Sequence, residues 1–221
     1  RCADNGMLLR VGRQFHWENR DYTTFDDFLG DLSSRKRKAI RKERRAVAES
    51  GVELKIITGD ELTEEHWDAF FRFYRDTTDR KWGQRYLTRR FFSLLGDRMG
   101  DRVALVLAIT DGAYVGGALN LIGDDTLFGR YWGSTEDYKF LHFEACYYRA
   151  IDFAIERGLK WVEAGAQGPH KIQRGYLPRE TYSAPWIGNE SFSRAVENFL
   201  GEEQKEIEEE MRYLTEGSPF R

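Results

Sequence analysis

Glu144 and Glu163 are the two carboxylates whose local sequence suits proton transfer. Glu163 closes the apolar run LKWV (159–162). A carboxylate placed there is either half-buried, with its proton held more tightly than usual, or paired with a cation such as Lys171 or Arg174. Glu144 follows His142 and Phe143 at the start of a helical stretch. There it either complements the helix dipole or serves as a base or as the group that orients an amine. Tyr131 stands between Arg130 and Trp132 at the end of an apolar strand, as a hydrogen-bond donor or as a core aromatic. Alternation sends Tyr131 to one face and Arg130 and Trp132 to the other. Tyr147 and Tyr148 fall one turn beyond Glu144, and one of them should face inward. Past Glu163, the glycines Gly165, Gly168 and Gly175 let backbone approach a ligand. Gln167, His170, Lys171 and Arg174 offer four polar tips within eight residues there. Arg80, Lys81 and Trp82 set two cations beside an aromatic face between two helices. That suits an anionic group, or simply a solvated turn.

A second kind of chemistry is written in SSRKRKAIRKERR (33–45), where eight of thirteen residues are Lys or Arg and only Glu43 opposes them. The block carries +7, while the other 208 residues carry −10. On a helix, Arg35, Lys38, Lys42 and Arg45 form one stripe and Arg37, Arg41 and Arg44 another. One reading is a solvated linker helix, paired with the acidic 202–210 segment of the same chain or of a second copy in a homodimer. The other is a phosphate-recognising wall with Arg37, Lys38, Arg41 and Lys42 at its centre. The ligands it would suit are an aminoacyl-tRNA, a nucleotide-linked precursor, CoA or an anionic membrane surface. No DNA-binding motif is present, and a net charge of −3 gives poor non-specific attraction to DNA.

Positioning these groups needs a sizeable domain, and 221 residues with 41 % hydrophobic and 14 % aromatic content supply one. The two cysteines, Cys2 and Cys146, match no disulfide or metal spacing, which fits a reducing cytoplasm. No His/Cys cluster has metal-ligand spacing, so no metal is expected. No apolar run approaches bilayer-spanning length.

The pattern of elements is α/β. MLLRVGRQFHW (7–17) reads as one strand or two short ones, and Phe25, Phe28, Leu29 and Leu32 line a short capped helix before the basic one. VELKII (52–57) is a strand and 62–80 an aromatic amphipathic helix, followed by a turn and a helix within 81–100. Three apolar runs, 103–109, 114–123 and 126–134, are separated by Asp111-Gly112 and Gly123-Asp124-Asp125, which are hairpin signals. A helix over 143–158, a strand over 159–165, a strand over 180–187 and a final helix complete the chain. The result is a mixed, mostly antiparallel sheet flanked by helices, with a right-handed parallel βαβ unit over 126–165. An aromatic strand, polar turn and charged helix near the start recur near the end. This echo marks 1–32 as the tail of a preceding copy, 33–50 as a basic connecting helix and 51–221 as the main domain. The chain opens on Arg1 rather than Met, which fits a piece of something longer.

EAGAQGPHKIQRGYLP (163–178), with LSSRKRKAIRKER, RKWG (80–83), RYWGS (130–134) and LHFEACYY (141–148), resembles the FemAB-like, GNAT-related family of N-acyltransferases. That family is distantly related to the peptidyltransferases that add amino acids to peptidoglycan precursors. The resemblance covers nearly the whole chain and implies a GNAT-like fold. It implies transfer of an acyl or aminoacyl group, from acyl-CoA or aminoacyl-tRNA, to an amine acceptor that is a small molecule or a cell-wall precursor. In those terms Glu144 or Glu163, with His170, takes the amine proton, and Tyr131 or Tyr147 assists the leaving group. Arg80, Lys81, Trp82, Trp132, His142, Gln167, Gly168, Lys171 and Arg174 bind substrate, and the strand end, the helix start and the His-Lys-Arg loop are expected to share one pocket. GNAT enzymes hold the pyrophosphate of CoA on a glycine-rich turn before this helix. Here that position reads STEDYKFLHFEA, without the glycines and with Glu136 and Asp137 repelling phosphate. The alternatives are a binding module that recognises a peptidoglycan precursor without turnover, and a half that works only with its partner half.

Overall fold

Apolar runs broken by Asp-Gly and Gly-Asp-Asp become the middle of a sheet. In the computed structural model, which describes residues 5–80 and 84–221, they are strands β3 (Val103–Thr110), β4 (Ala113–Ile122) and β5 (Thr126–Ser134). Asp111 and Gly112 both take positive φ, +49° and +76°, as the tight turn between β3 and β4 requires.

The chain divides into two units, 17–164 with Arg221, and 5–16 with 165–220. Elements of the larger unit, besides those strands, are α1 (Phe25–Asp31), α2 (Ser34–Ala48), β2 (Glu53–Thr58), α3 (Glu64–Arg80) and α4 (Arg89–Met99). After β5 come α5 (Leu141–Phe143), a π turn (Glu144–Tyr148), α6 (Arg149–Glu156) and β6 (Trp161–Glu163). The strands lie in the order β2-β3-β4-β5-β6, antiparallel except for the parallel pair β5–β6. This is the mixed, mostly antiparallel sheet flanked by helices that the sequence pattern led to.

The two faces are packed differently because β3 alternates large and small side chains. Val103, Leu105 and Leu107, with Leu119 of β4, meet Trp67, Phe70, Phe73 and Tyr74 of α3 and Phe92 of α4. Trp67, Phe70, Phe73 and Phe92 are each at most 1 % exposed, and each such side chain contributes roughly 1.5–3 kcal/mol by leaving water. On the other face Val106, Ala108 and Ala118 pack with Val47 of α2, Leu141 of α5 and Ala145 of the π turn. The basic helix is anchored by the two apolar residues its sequence offers, Ile40 and Val47.

The helical stretch after β5 starts two residues earlier than its sequence suggests and is not a plain α-helix. Glu144–Tyr148 is a π turn, in which the Arg149 backbone N–H reaches the Glu144 carbonyl. Gly158, in the left-handed region at φ +65°, follows its end as a C-terminal glycine should.

In the smaller unit, β1 (Arg10–Glu18, of which Trp17 and Glu18 belong to the larger unit) pairs antiparallel with β7 (Leu177–Ser183). The long helix α7 (Glu190–Glu216) completes the unit. Two carboxylates of its acidic segment, Glu203 and Glu210, pair with Arg10 and Arg13 of β1.

At Gly133 on β5, α3 lies directly against the strand. A Cβ there would lie 2.4 Å from the Phe73 carbonyl oxygen and 2.7 Å from Thr77 Oγ1. Gly133→Ala is therefore expected to cost about 1–3 kcal/mol of stability through forced backbone displacement. Urea unfolding of the variant measures this, and an unchanged midpoint would contradict the close approach.

Candidate functional site

β5 and β6 pair at only three positions, Thr126↔Trp161, Leu127↔Val162 and Phe128↔Glu163. β6 then ends while β5 continues to Ser134, so the two strands part. A strand that loses a neighbour leaves backbone groups needing partners, and an extended amide-bearing ligand can supply them. The parting coincides with a bulge. Asn120 faces Gly129 and Leu119 faces Tyr131, which leaves Arg130 as the extra residue. Asn120 is buried, and its side-chain N–H donates to the Ala104 carbonyl at 3.1 Å. Simple alternation would put Arg130 with Trp132, but the bulge takes Arg130 out of the alternation. Its Nη1 donates to Glu163 Oε1 at 3.2 Å, and its guanidinium lies 5.1 Å from the centre of the Phe128 ring. Glu163 is thus ion-paired at the point where the strands separate.

Tyr131 lies on the α3 side of the sheet, packed edge-on against Tyr74. Its hydroxyl hydrogen-bonds that of Tyr86, which lies between α3 and α4 and is 72 % exposed. Burial, with the Tyr86 hydrogen bond behind it, pushes the Tyr131 phenol up, so it keeps its proton and can donate at neutral pH. Arg80, at the end of α3, donates to the Ser134 carbonyl at 2.9 Å and pairs with Asp76 at 2.6 Å. Lys81 and Trp82 lie outside the described residues.

Trp132 lies on the opposite face, where its ring is 5.5 Å from that of His142. His142 in turn meets Tyr147 at 5.4 Å, and Tyr147 is buried. Glu144 belongs to this second face and is only 5 % exposed. Its Oε1 accepts from Arg44 Nη2 at 3.1 Å and has Arg149 Nε at 3.7 Å, while Oε2 is buried without a hydrogen-bond partner among the described residues. Arg44 also grips Asp152, with contacts of 2.6 and 3.3 Å, and lies 4.2 Å over the Phe25 ring. Burial raises the Glu144 carboxyl, and the neighbouring Arg44 and Arg149 only partly offset it. For Arg44, burial alone would lower the pKa, but Asp152 and Glu144 outweigh it and the net shift is upward.

The expectation that Tyr131 and Glu144 share one pocket does not hold, because they occupy opposite faces of the sheet. What the larger unit does bring together is Arg130 with Glu163, Tyr131 with Tyr86 and Tyr74, and Glu144 with Arg44 and Asp152. Tyr86, Asn120 and Asp152 were not legible as site residues. The one local signal was the spacing of Glu144 and Asp152, eight residues or about two turns apart on one helical stretch. Of the basic helix, Arg41 pairs with exposed Asp26 at 2.8 Å and Arg37 reaches the Leu29 and Gly30 carbonyls at 3.4 Å. Lys38 and Lys42 are exposed.

The glycine-flanked loop lies in the smaller unit. It holds a 3-10 turn over Pro169–Arg174, entered through Gly168 at φ +95°. The His170 ring folds so closely over Gly168 that a Cβ there would lie 2.4 Å from it. Gln167 and His170 are exposed. Partial burial, then Arg174 and Lys171, lower the His170 pKa, so the ring is mostly neutral at pH 7. Lys171 and Arg174 are buried; Lys171 Nζ donates to the Gly165 carbonyl at 3.3 Å, and Arg174 Nη1 to the His170 carbonyl at 2.9 Å. Among the described residues, no group of three or more His, Cys, Asp or Glu side chains could hold a metal ion, and no helix is long and apolar enough to cross a membrane.

The FemAB-like family, described by peptidoglycan biosynthesis/recognition, matches residues 1–221, and the chain belongs to this family. No curated protein sequence matches the chain. Among solved structures, L-PGS from Bacillus licheniformis is similar at 12 % identity and a TM-score of 0.59, over 90 % of this chain and 68 % of that one. The C-terminal domain (DUF2156) of a candidate lysylphosphatidylglycerol synthetase from Agrobacterium fabrum is similar at 11 % identity and 0.63, over 88 % and 66 %. FemX is similar at 13 % identity and 0.59, over 84 % and 64 %. The chain thus spans about two thirds of the length of each, and these likenesses establish the fold.

Arg44→Ala would leave Glu144 and Asp152 facing each other in a buried site, at an expected cost of about 3–5 kcal/mol. Glu144→Gln tests the raised carboxyl. A group whose pKa is raised on folding contributes stability at low pH and loses it as pH rises through the folded value. The stability of Glu144→Gln relative to the wild type should therefore climb as pH rises from the ordinary glutamate range toward neutrality, as read by denaturant titrations across pH. A pH-independent difference would contradict the desolvated carboxyl.

Proposed function

We propose that this chain carries the transfer half of an N-acyltransferase, moving an aminoacyl or acyl group from an activated ester or thioester to an amine on a cell-wall precursor. The observation that carries the reading is the parting of β5 from β6 beside Arg130, Glu163 and Tyr131. In this scheme the donor lies extended along the unpaired edge of β5. The acceptor nitrogen attacks the donor carbonyl, a C–N bond forms, and the C–O or C–S bond to the carrier breaks. Glu163 takes the proton the amine sheds, with its Oε1 held in place by Arg130. The Tyr131 hydroxyl donates to the departing oxygen or sulfur, an assignment supported by a phenol that stays protonated at neutral pH.

An aminoacyl donor is favoured over acyl-CoA. The segment before α5 lacks a phosphate-cradling glycine turn, and Glu136 and Asp137 are exposed there. The lysylphosphatidylglycerol synthetase name among the similar folds also records an aminoacyl product. A non-catalytic module that recognises precursor has one observation in its favour: Glu163 and Glu144 both already hold arginine partners.

Transfer assays with charged tRNA and with CoA esters, against peptidoglycan precursors bearing a free amine, decide between these. Turnover is expected with charged tRNA. Glu163→Gln should lower kcat about 100-fold or more, as loss of a general base does. Tyr131→Phe should lower it less, with KM little changed. Saturable precursor binding with no turnover from any donor would leave the recognition module standing.

A further inference from the structure

A cleft of about 420 Å³ opens against α1 and α2, away from the point where β5 and β6 part. Its walls carry Arg41, Arg44 and Arg45 from α2, and Phe25 and Asp26 from α1. These residues differ in how far their charge is spent. Arg44 is fixed: Asp152 and Glu144 take one Nη1 and two Nη2 contacts, and the Phe25 ring lies beneath the guanidinium at 4.2 Å. An arginine has five N–H donors, so the Nε–H and one Nη1–H of Arg44 remain available. Among the described residues Arg41 is held only by Asp26, through one 2.8 Å contact between side chains that are 53 % and 75 % exposed. Such a pair is worth little and exchanges readily. Arg45 makes no side-chain hydrogen bond or ion pair with any described residue.

One pre-positioned guanidinium, one weakly engaged and one free on the same wall exceed what a single carboxylate needs. Forked N–H donors converging from several arginines match the oxygens of a phosphoryl group. We propose that the cleft between α1 and α2 binds a phosphate-bearing ligand, with Arg41 and Arg45 closing on its oxygens, Arg44 as the fixed anchor and Asp26 displaced. This places the phosphate chemistry of the basic helix at its C-terminal half, in a defined cavity, rather than spread along its length. A phosphoryl group in solution and one on a lipid headgroup present the same oxygens, and the experiment separates them. The proposal is independent of the transfer reaction, since binding is read directly.

The test is calorimetric titration of the full chain, at low ionic strength, with inorganic pyrophosphate and with UDP-N-acetylglucosamine, beside co-sedimentation with phosphatidylglycerol or phosphatidylcholine vesicles. Saturable binding is expected in at least one arm whose phosphate leaves the ligand with net negative charge, and not with zwitterionic phosphatidylcholine. Binding confined to the soluble ligands assigns a free phosphoryl compound, and binding confined to phosphatidylglycerol assigns a headgroup. Arg45→Ala should weaken binding by about tenfold or more, as loss of charge-assisted hydrogen bonds does. Asp26→Asn should tighten it by freeing Arg41. Arg35→Ala, an exposed cation on the first turn of the same helix, should change it by less than about twofold if the cleft, not diffuse charge, is responsible. Arg45 is exposed, so its loss leaves the fold intact, and far-UV circular dichroism verifies this. Equal losses in Arg35→Ala and Arg45→Ala, or no saturable binding in any phosphate arm, would overturn the proposal.

Discussion

Past Phe128, β5 exchanges a hydrogen-bonded neighbour for close contact with α3, and the side chains around that exchange are fixed by it. Two glycines permit it. Gly129 lets β5 run within reach of the Glu163 carbonyl, 3.1 Å from where a Cβ would sit, just as β6 ends. Gly133 lets α3 press on the strand farther along. Between them the bulge at Arg130 absorbs the change of direction, and buried Asn120 holds the sheet together beside it. Without the bulge, Arg130 would have stayed in the alternation and Glu163 would have lost its contact with the Arg130 guanidinium. Tyr131, the next residue, is turned onto the large aromatic cluster of α3 and α4, which fixes its ring and keeps its hydroxyl protonated.

The second face rests on a different kind of constraint. Burying Glu144 is costly, and the orphaned Oε2 shows that the cost is not fully offset. Arg44 makes the arrangement tenable by serving two carboxylates at once, while stacking on Phe25 and approaching Tyr148. The interaction joins α2 to the π turn and α6. A buried ion pair of this kind is weak evidence for stability but good evidence for a fixed orientation. The same arginine that secures the π turn also lines the cleft of the basic helix. Charge on that helix therefore divides into a structural member, Arg44, and members that face solvent.

Much of the architecture was legible locally. Asp111-Gly112 announced a hairpin and the structure has one there. Ile40 and Val47 marked the buried side of the basic helix, and the aromatic spacing of α3 marked its core face. These features depend on backbone propensity and on which side of an element is apolar, and both are properties of short stretches. The π turn was not legible, because Ala145, Cys146, Tyr147 and Tyr148 follow one another without a polar break, so the change of phase that an inserted residue makes leaves no gap in the apolar pattern. Nor was the bulge, since one extra residue in a strand is invisible to alternation until the register with β4 is known.

The site divides along the same line. By itself the sequence determined which residues had the chemistry: Glu163 at a strand end, Glu144 at a helix start, Tyr131 among apolar neighbours, a run of arginines and lysines. Only the tertiary structure decided their company. Arg130 and Glu163 are 33 positions apart, Arg44 and Glu144 are 100, and Tyr86 and Tyr131 are 45. It also decided that Tyr131 and Glu144 face away from each other. The partner of a charge is chosen by which elements pack together and in what register, and that depends on the burial of many side chains at once rather than on any stretch that contains the charge.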